Sequence, residues 1–271
     1  MYSGTTLRKG SGRIVGVHQR IDRIARLRLY KYISKTLEFP SISDILKFEG
    51  KNGPDGLKLK SPSRDEPRHF IDPTDSDDHM LLDMIHSHIK NLAEALKADN
   101  HVRASFEAAW LAHAVVDGLT PPHHYPLTEK TRKSYLKKGY DLLKSKKNKK
   151  EIETELSRRQ AILKKWEFWG TRSATSHVMF EWGVASVTTT SRFTTSGPAD
   201  SDIERLKQIG YDALFMESVH KVYDLQMFDE FEENGWTHNL ALKTRRILVP
   251  EIIKAVTLAW YQAAIVSKDL K

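Results

Sequence analysis

The stretch that most constrains this chain is Trp110–Tyr125, WLAHAVVDGLTPPHHY. It sets His113 and Asp117 one helical turn apart among Ala, Leu and Val, and stops at Gly118 and the Pro121–Pro122 pair. Residues four apart share a helix face, so this imidazole and this carboxylate point the same way. In so apolar a setting an ionised carboxylate needs a partner, because an unpaired charge taken out of water is too costly to keep. The fold has to bring that partner to Asp117.

The rest of the chain reads mostly as helix. Ile14, Val17, Ile21, Ile24 and Leu27 recur at three- and four-residue steps and carry His18 with them. Residues 40–77 are rich in Gly, Pro, Ser and Asp and read as turns and loop. Helical periodicity resumes over His79–Ala98, and Asn100 is placed to cap a further helix from Val102 to Val116. Helices are expected again over Ser173–Val187, from a capping box at Ser201–Glu204 to about Phe228, and from Pro250 to about Lys268. Thr188–Gly197 reads as a loop. With no convincing strand set, the expected class is all-α, a single multi-helix bundle domain spanning 1–271.

Composition removes several chemistries. The 271 residues include no Cys, which excludes disulfides, thiolate metal sites and Cys nucleophiles, but they include 12 His. Any metal has to be held by His, Asp and Glu. No run of about 18 apolar residues reads as a transmembrane helix. The start shows no apolar stretch of signal-peptide length, so a cytoplasmic location is the expectation. The net charge of +8 belongs to Glu129–Lys165, which holds 14 basic and 5 acidic residues, while the remainder holds 29 and 30. This basic segment, about 129–169, reads as one or two helices with a solvated face.

His177 and Glu181 repeat the one-turn spacing of His113 and Asp117, and His123 and His124 follow the Pro pair. Such pairs projecting inward from different helices can build a multinuclear site. Imidazole and carboxylate suit Zn²⁺, with Mn²⁺ or Fe²⁺ as alternatives. Either pair alone also fits a solvated helical ion pair.

On these residues the chain resembles the bacterial zinc-dependent phospholipases C, a superfamily shared with single-strand-specific zinc nucleases. The family signature, His-x3-Asp-x5-His with Pro two before the last His, falls on His113, Asp117, Pro121 and His123. Its upstream His-Phe-x-Asp-Pro element falls on His69, Phe70, Asp72 and Pro73, and an Asp fourteen residues earlier falls on Asp55. An early His corresponds to His18, and a later His-x3-Glu to His177 and Glu181. The resemblance spans roughly residues 14–185. It implies that His69, His113, Asp117 and Asp55 surround a first zinc, with Asp55 also serving as the base that orients or deprotonates water. His123, His177 and Glu181 would hold a second, with His124 as the alternative to His123. His18 would bind a third, bridged by Asp117.

The resemblance breaks at two points. Secreted members complete the third site with the amino group and carbonyl of an N-terminal Trp, and this chain has no Trp near its start. The interval between His123 and His177 is stretched by the basic segment, which reads as an insertion.

The expected activity is zinc-assisted phosphodiester hydrolysis, on a phospholipid head group in preference to nucleic acid. The alternatives are a single-strand-specific zinc nuclease, or a non-catalytic zinc-stabilised helical module that binds partners through 129–165. That segment is placed for contact with an anionic membrane or a nucleic acid.

Overall fold

The computed structural model describes residues 1, 16–33, 37–56, 70–124 and 171–269, so His69 and the basic segment 129–169 lie outside the described residues. Among the described residues there is no strand, and the architecture is all-α.

Helix α1 (Val17–Leu29) buries Val17, Ile21, Ala25 and Leu29 at four-residue steps, and encloses His18 and Asp22 with them. The region read as loop is more structured than its Gly and Pro content suggests. It holds α2 (Ile42–Ile45), 3-10 turns at Leu46–Phe48 and Gly50–Asn52, and a helical turn at 54–56. Ser41 caps α2, its hydroxyl accepting from the Asp44 N–H.

Helices α3 (Met80–Lys97) and α4 (His101–Gly118) form a hairpin through Asp99, which takes the left-handed φ of 51°. Asn100 caps α4 as its residue type suggests, Oδ1 accepting from the Arg103 N–H at 3.1 Å. Ala108, Leu111, Ala112, Val115 and Val116 lie on several faces of α4, yet each is fully buried. A helix this apolar all round needs neighbours all round, and α1, α2, α3 and the final helix supply them.

After the turn at Pro121–His123 come α5 (Thr171–Thr190), α6 (Asp200–Tyr223), α7 (Met227–Asn234) and α8 (His238–Lys243). A π-helical turn at Thr244–Leu248 then leads into α9 (Val249–Asp269). His238–Asp269 is long and apolar enough to cross a membrane by length and composition, but most of its apolar window is buried within the protein. The fully buried Trp260 pins α9 to α4 by donating its indole N–H to the Ala108 carbonyl at 2.9 Å.

Two expectations are corrected in α6. The cap is not Ser201: the helix starts at Asp200, and Asp202 Oδ2 accepts from the Ala199 N–H at 2.7 Å. Ala has no acceptor to return, so only half of a capping box is present. The helix also ends at Tyr223 rather than Phe228, because Gln226 turns left-handed at φ 49° before α7.

Gly118 closes α4 directly after Asp117, where an added Cβ would stand 2.5 Å from Leu81 Cδ2 and 2.8 Å from Phe215 Cζ. Both neighbours are buried and cannot swing away. Gly118→Ala is therefore expected to cost about 1–3 kcal/mol by overpacking. Urea denaturation would show this as a lower midpoint at constant slope; an unchanged midpoint would contradict the contact of α3, α4 and α6 at this point.

Candidate metal centre

Five elements deliver the side chains read from the sequence. His18 lies on the first turn of α1, His113 and Asp117 on the last two turns of α4, and His177 and Glu181 on α5. Asp55 comes from the helical turn at 54–56. His123 ends the Pro-initiated 3-10 turn, where the Thr120 hydroxyl donates to the Val116 carbonyl and the His123 N–H to the Thr120 carbonyl. A bridge from the Ile71 N–H to the His123 carbonyl, 3.1 Å, ties the Phe70–Pro73 strip to that turn, and the Phe70 ring stacks on His123.

Two trios of ligand atoms result, His18 with Asp55 and His113, and His123 with His177 and Glu181, the atoms of each trio within 4.8 Å of one another. Asp117 stands between them. Its Oδ2 lies 3.2 Å from His113 Nε2 and 3.8 Å from His123 Nδ1, and its Oδ1 lies 3.4 Å from His18 Nε2. His113 Nε2 is 3.6 Å from Asp55 Oδ1, and His123 Nε2 is 3.6 Å from Glu181 Oε1 and 3.0 Å from His177 Nε2. Zinc bonds of about 2.0–2.1 Å set tetrahedral ligand atoms roughly 3.3 Å apart. The separations found here scatter around that value. Two imidazole nitrogens and a carboxylate oxygen that face one another in this way could hold a cation, and the residues present fit zinc.

His124 turns away from this centre, its Nε2 paired with the Gly118 carbonyl at 3.0 Å. Asp72 fixes its own loop, with Oδ1 accepting from the Thr74 N–H and hydroxyl. His86, His88 and His101 pair with Asp212, Glu107 and Glu38, away from both trios.

The structure adds a member that sequence reading missed. The Met1 α-amino group lies 2.7 Å from Asp117 Oδ1 and 3.1 Å from Glu181 Oε1, and the Met1 carbonyl lies 2.7 Å from His18 Nε2. These are the backbone groups that the resemblance assigns to a Trp, and they do not depend on the side chain. They stand beside His18 and Asp117.

The charges are mutually supporting. Burial alone would strip the proton from the Met1 amine, but Asp117, Glu181 and Asp55 outweigh it and hold the pKa at about 11. Burial likewise opposes ionisation of Asp117 and Glu181, yet the Met1 ammonium and the neighbouring imidazoles hold both carboxyls well below their ordinary range. His123 is pushed down to about 3 by burial, against the attraction of Asp117, and is therefore a neutral imidazole, the form that ligates metal.

Behind His113 lie two buried carboxylates that the sequence reading did not single out. Glu49 Oε2 faces His113 Nδ1 at 3.9 Å, and Asp22 sits one turn after His18 on α1. Burial, and then Glu49, raise the Asp22 carboxyl well above its ordinary range. Asp22 repeats the His-x3-acid spacing of the other two pairs, so a signal for it was present; Glu49, an isolated acid in a turn, gave none. A carboxylate at the far nitrogen of a ligating His fixes the ring and raises its basicity.

Replacing Glu49 by Leu is accordingly expected to weaken zinc binding about 10–100-fold, with Glu49→Gln intermediate. Competition against a chromophoric chelator reads this directly, and an unaltered affinity in Glu49→Leu would remove Glu49 from the site. A second expectation concerns acid. Burial holds His124 at about 4, below its ordinary 6.5, so the unfolded chain takes up the proton first. Its contribution, about 3 kcal/mol, is present above pH 6.5 and is lost as pH falls toward 4. Denaturation of chelator-treated protein at neutral and acid pH should show a smaller acid loss in His124→Asn; equal losses would contradict this.

No protein-family profile matches the chain, and no curated protein matches it. Among solved structures it is similar to the alpha-toxin of Clostridium perfringens, isolated from avian strain SWCP, at 14% identity and a TM-score of 0.62. The match covers 100% of this chain and 66% of the toxin chain, and it shows a shared fold.

Proposed function

We propose that this chain is a zinc-dependent phosphodiester hydrolase acting on phospholipid head groups. One observation carries the reading: two His/acid trios meet at a single buried carboxylate, Asp117, in a fold shared with a bacterial toxin. His18, Asp55, His113 and Asp117 hold one side, joined through the resemblance by His69; His123, His177 and Glu181 hold the other. Two ions suit the two trios; a third beside His18 would require the Met1 ammonium to give up its proton before its nitrogen could join the Met1 carbonyl there. Zinc so bound supplies Lewis acidity toward phosphoryl oxygens and makes water nucleophilic near neutral pH, so no Ser or Cys nucleophile is needed.

The protein's own groups divide the remaining tasks. His18, His113 and Asp117 are sealed from solvent, whereas Asp55 keeps 31% of its side-chain surface exposed and His177 keeps 26%. Substrate then enters on the Asp55–His177 side. Burial of Asp55 favours its neutral form, but His113 overrides this and keeps the carboxylate ionised. An ionised, partly exposed carboxylate is placed to orient an attacking water by accepting its hydrogen bond, or to take its proton. On α5, flanking His177 and Glu181, Val178, Met179 and Trp182 remain exposed. Exposed apolar side chains on the helix that carries these two residues suit lipid better than a nucleic-acid backbone.

The test uses zinc-loaded protein with phosphatidylcholine vesicles and, separately, single-stranded DNA. Asp55→Asn is expected to keep most of its zinc and to lose about 10²–10⁴-fold in rate, while His113→Ala loses zinc and activity together. Hydrolysis of DNA but not lipid would shift the reading to the nuclease branch. Full activity in His113→Ala would overturn the site.

A further inference from the structure

At the far end of α5 from His177 and Glu181 lies a cleft of about 640 Å³, walled by the 192–197 loop, the last turn of α6, the π-helical turn and the start of α9. Roughly 14 Å of helix separates Glu181 from the end of α5, so the cleft is distinct from the candidate metal centre. Its cations come from four elements: Arg192 from the loop, Lys221 from α6, Arg245 and Arg246 from the π turn, and Lys254 from α9. The acid lining it is Glu251, and that carboxylate is already engaged, by Lys221 Nζ at 2.6 Å, by the Ser218 hydroxyl at 2.8 Å and by Lys254. Outside 129–165 the chain is almost neutral, so five cations facing one satisfied carboxylate are a local concentration of charge.

The three arginines are the informative members. Arg192, Arg245 and Arg246 are exposed, and no hydrogen bond or ion pair occupies their guanidinium groups among the described residues. Like charges held together around a cavity repel one another and gain from a multivalent anion placed between them. The guanidinium fork matches phosphate oxygens two at a time.

The scaffold behind them is also set in advance. Gly197, at φ 129°, lets the loop close onto Arg28, whose guanidinium donates to the carbonyls of Phe193 and Thr194. The buried Phe193 ring anchors the loop next to Arg192. Arg245 and Arg246 project from a π turn, a geometry often found at functional sites. The volume falls in the range of small-molecule sites.

We propose that this cleft is a binding site for a phosphate-bearing anion, a terminal phosphate or diphosphate carried by a soluble molecule or by a lipid head group. The proposal does not depend on the metal chemistry. It is tested by calorimetric titration with inorganic pyrophosphate and by sedimentation with mixed phosphatidylcholine–phosphatidic acid vesicles. Both are run on the unaltered protein, on the triple variant Arg192→Gln/Arg245→Gln/Arg246→Gln and on His113→Ala. These arginines are exposed, so the triple variant is expected to keep its fold, which circular dichroism checks.

The expected result is pyrophosphate affinity at least about tenfold weaker in the triple variant, the loss of charge-assisted forks, and retained in His113→Ala. If the triple variant also sediments less with vesicles, the source is a lipid head group; if vesicle binding is unchanged, the source is soluble. Pyrophosphate and vesicle binding both unaffected by the triple variant, or both absent from the unaltered protein, would overturn the site.

Discussion

The rest of the structure depends on the burial of Asp117. Its side chain is 3% exposed, at the end of a helix that is buried on nearly every side. A carboxylate in that position is tolerated only with compensating charge, since its attraction to a partner has to offset the loss of water. The fold meets this by bringing three imidazoles and an amine to it from four directions. His18 arrives on α1, His113 from one turn earlier on α4, His123 from the turn beyond, and Met1 from the chain's start. Each also contacts a further acid or imidazole, so one buried charge organises a network linking α1, α4 and α5.

That dependence explains the shape of the surrounding helices. α4 has to run straight into the site, so it stops at a glycine small enough to pass between Leu81 and Phe215. The Pro pair then turns the chain at once, which puts His123 a few residues from Asp117 in sequence and on the opposite side of it in space. α9 backs α4 through the Trp260–Ala108 hydrogen bond. Packing and the candidate site share α4: its alanines admit close neighbours along its length, and its last two turns carry the polar pair.

What was legible in the sequence follows from the range over which each signal acts. The Asn100 cap, the α3 periodicity and the His-x3-acid pairs are local, contained within one turn or one helix, and could be read residue by residue. The compactness of 40–56 was not, because α2 and the 3-10 turns are held by their packing and by few propensities of their own. The break at Gly210, where φ is 80° and ψ 169°, interrupts a pattern that is otherwise helical on both sides. Glu49 and Met1 escaped for a stronger reason: one is a lone acid in a turn, and the other contributes backbone atoms. The arginine cleft gathers residues from distant elements, and only the folded chain brings Arg192 to Arg245 and Arg246.

The most direct test of the metal centre is anomalous diffraction at the zinc edge, from crystals grown with zinc. Two strong peaks are predicted, one among His18, Asp55 and His113 and one among His123, His177 and Glu181, both within bonding reach of these side chains. A third, beside Met1 and His18, would extend the account without altering it. Peaks confined to surface histidines, with none near Asp117, would contradict it, and the buried cluster would then be an ion-pair network that only holds the helices together.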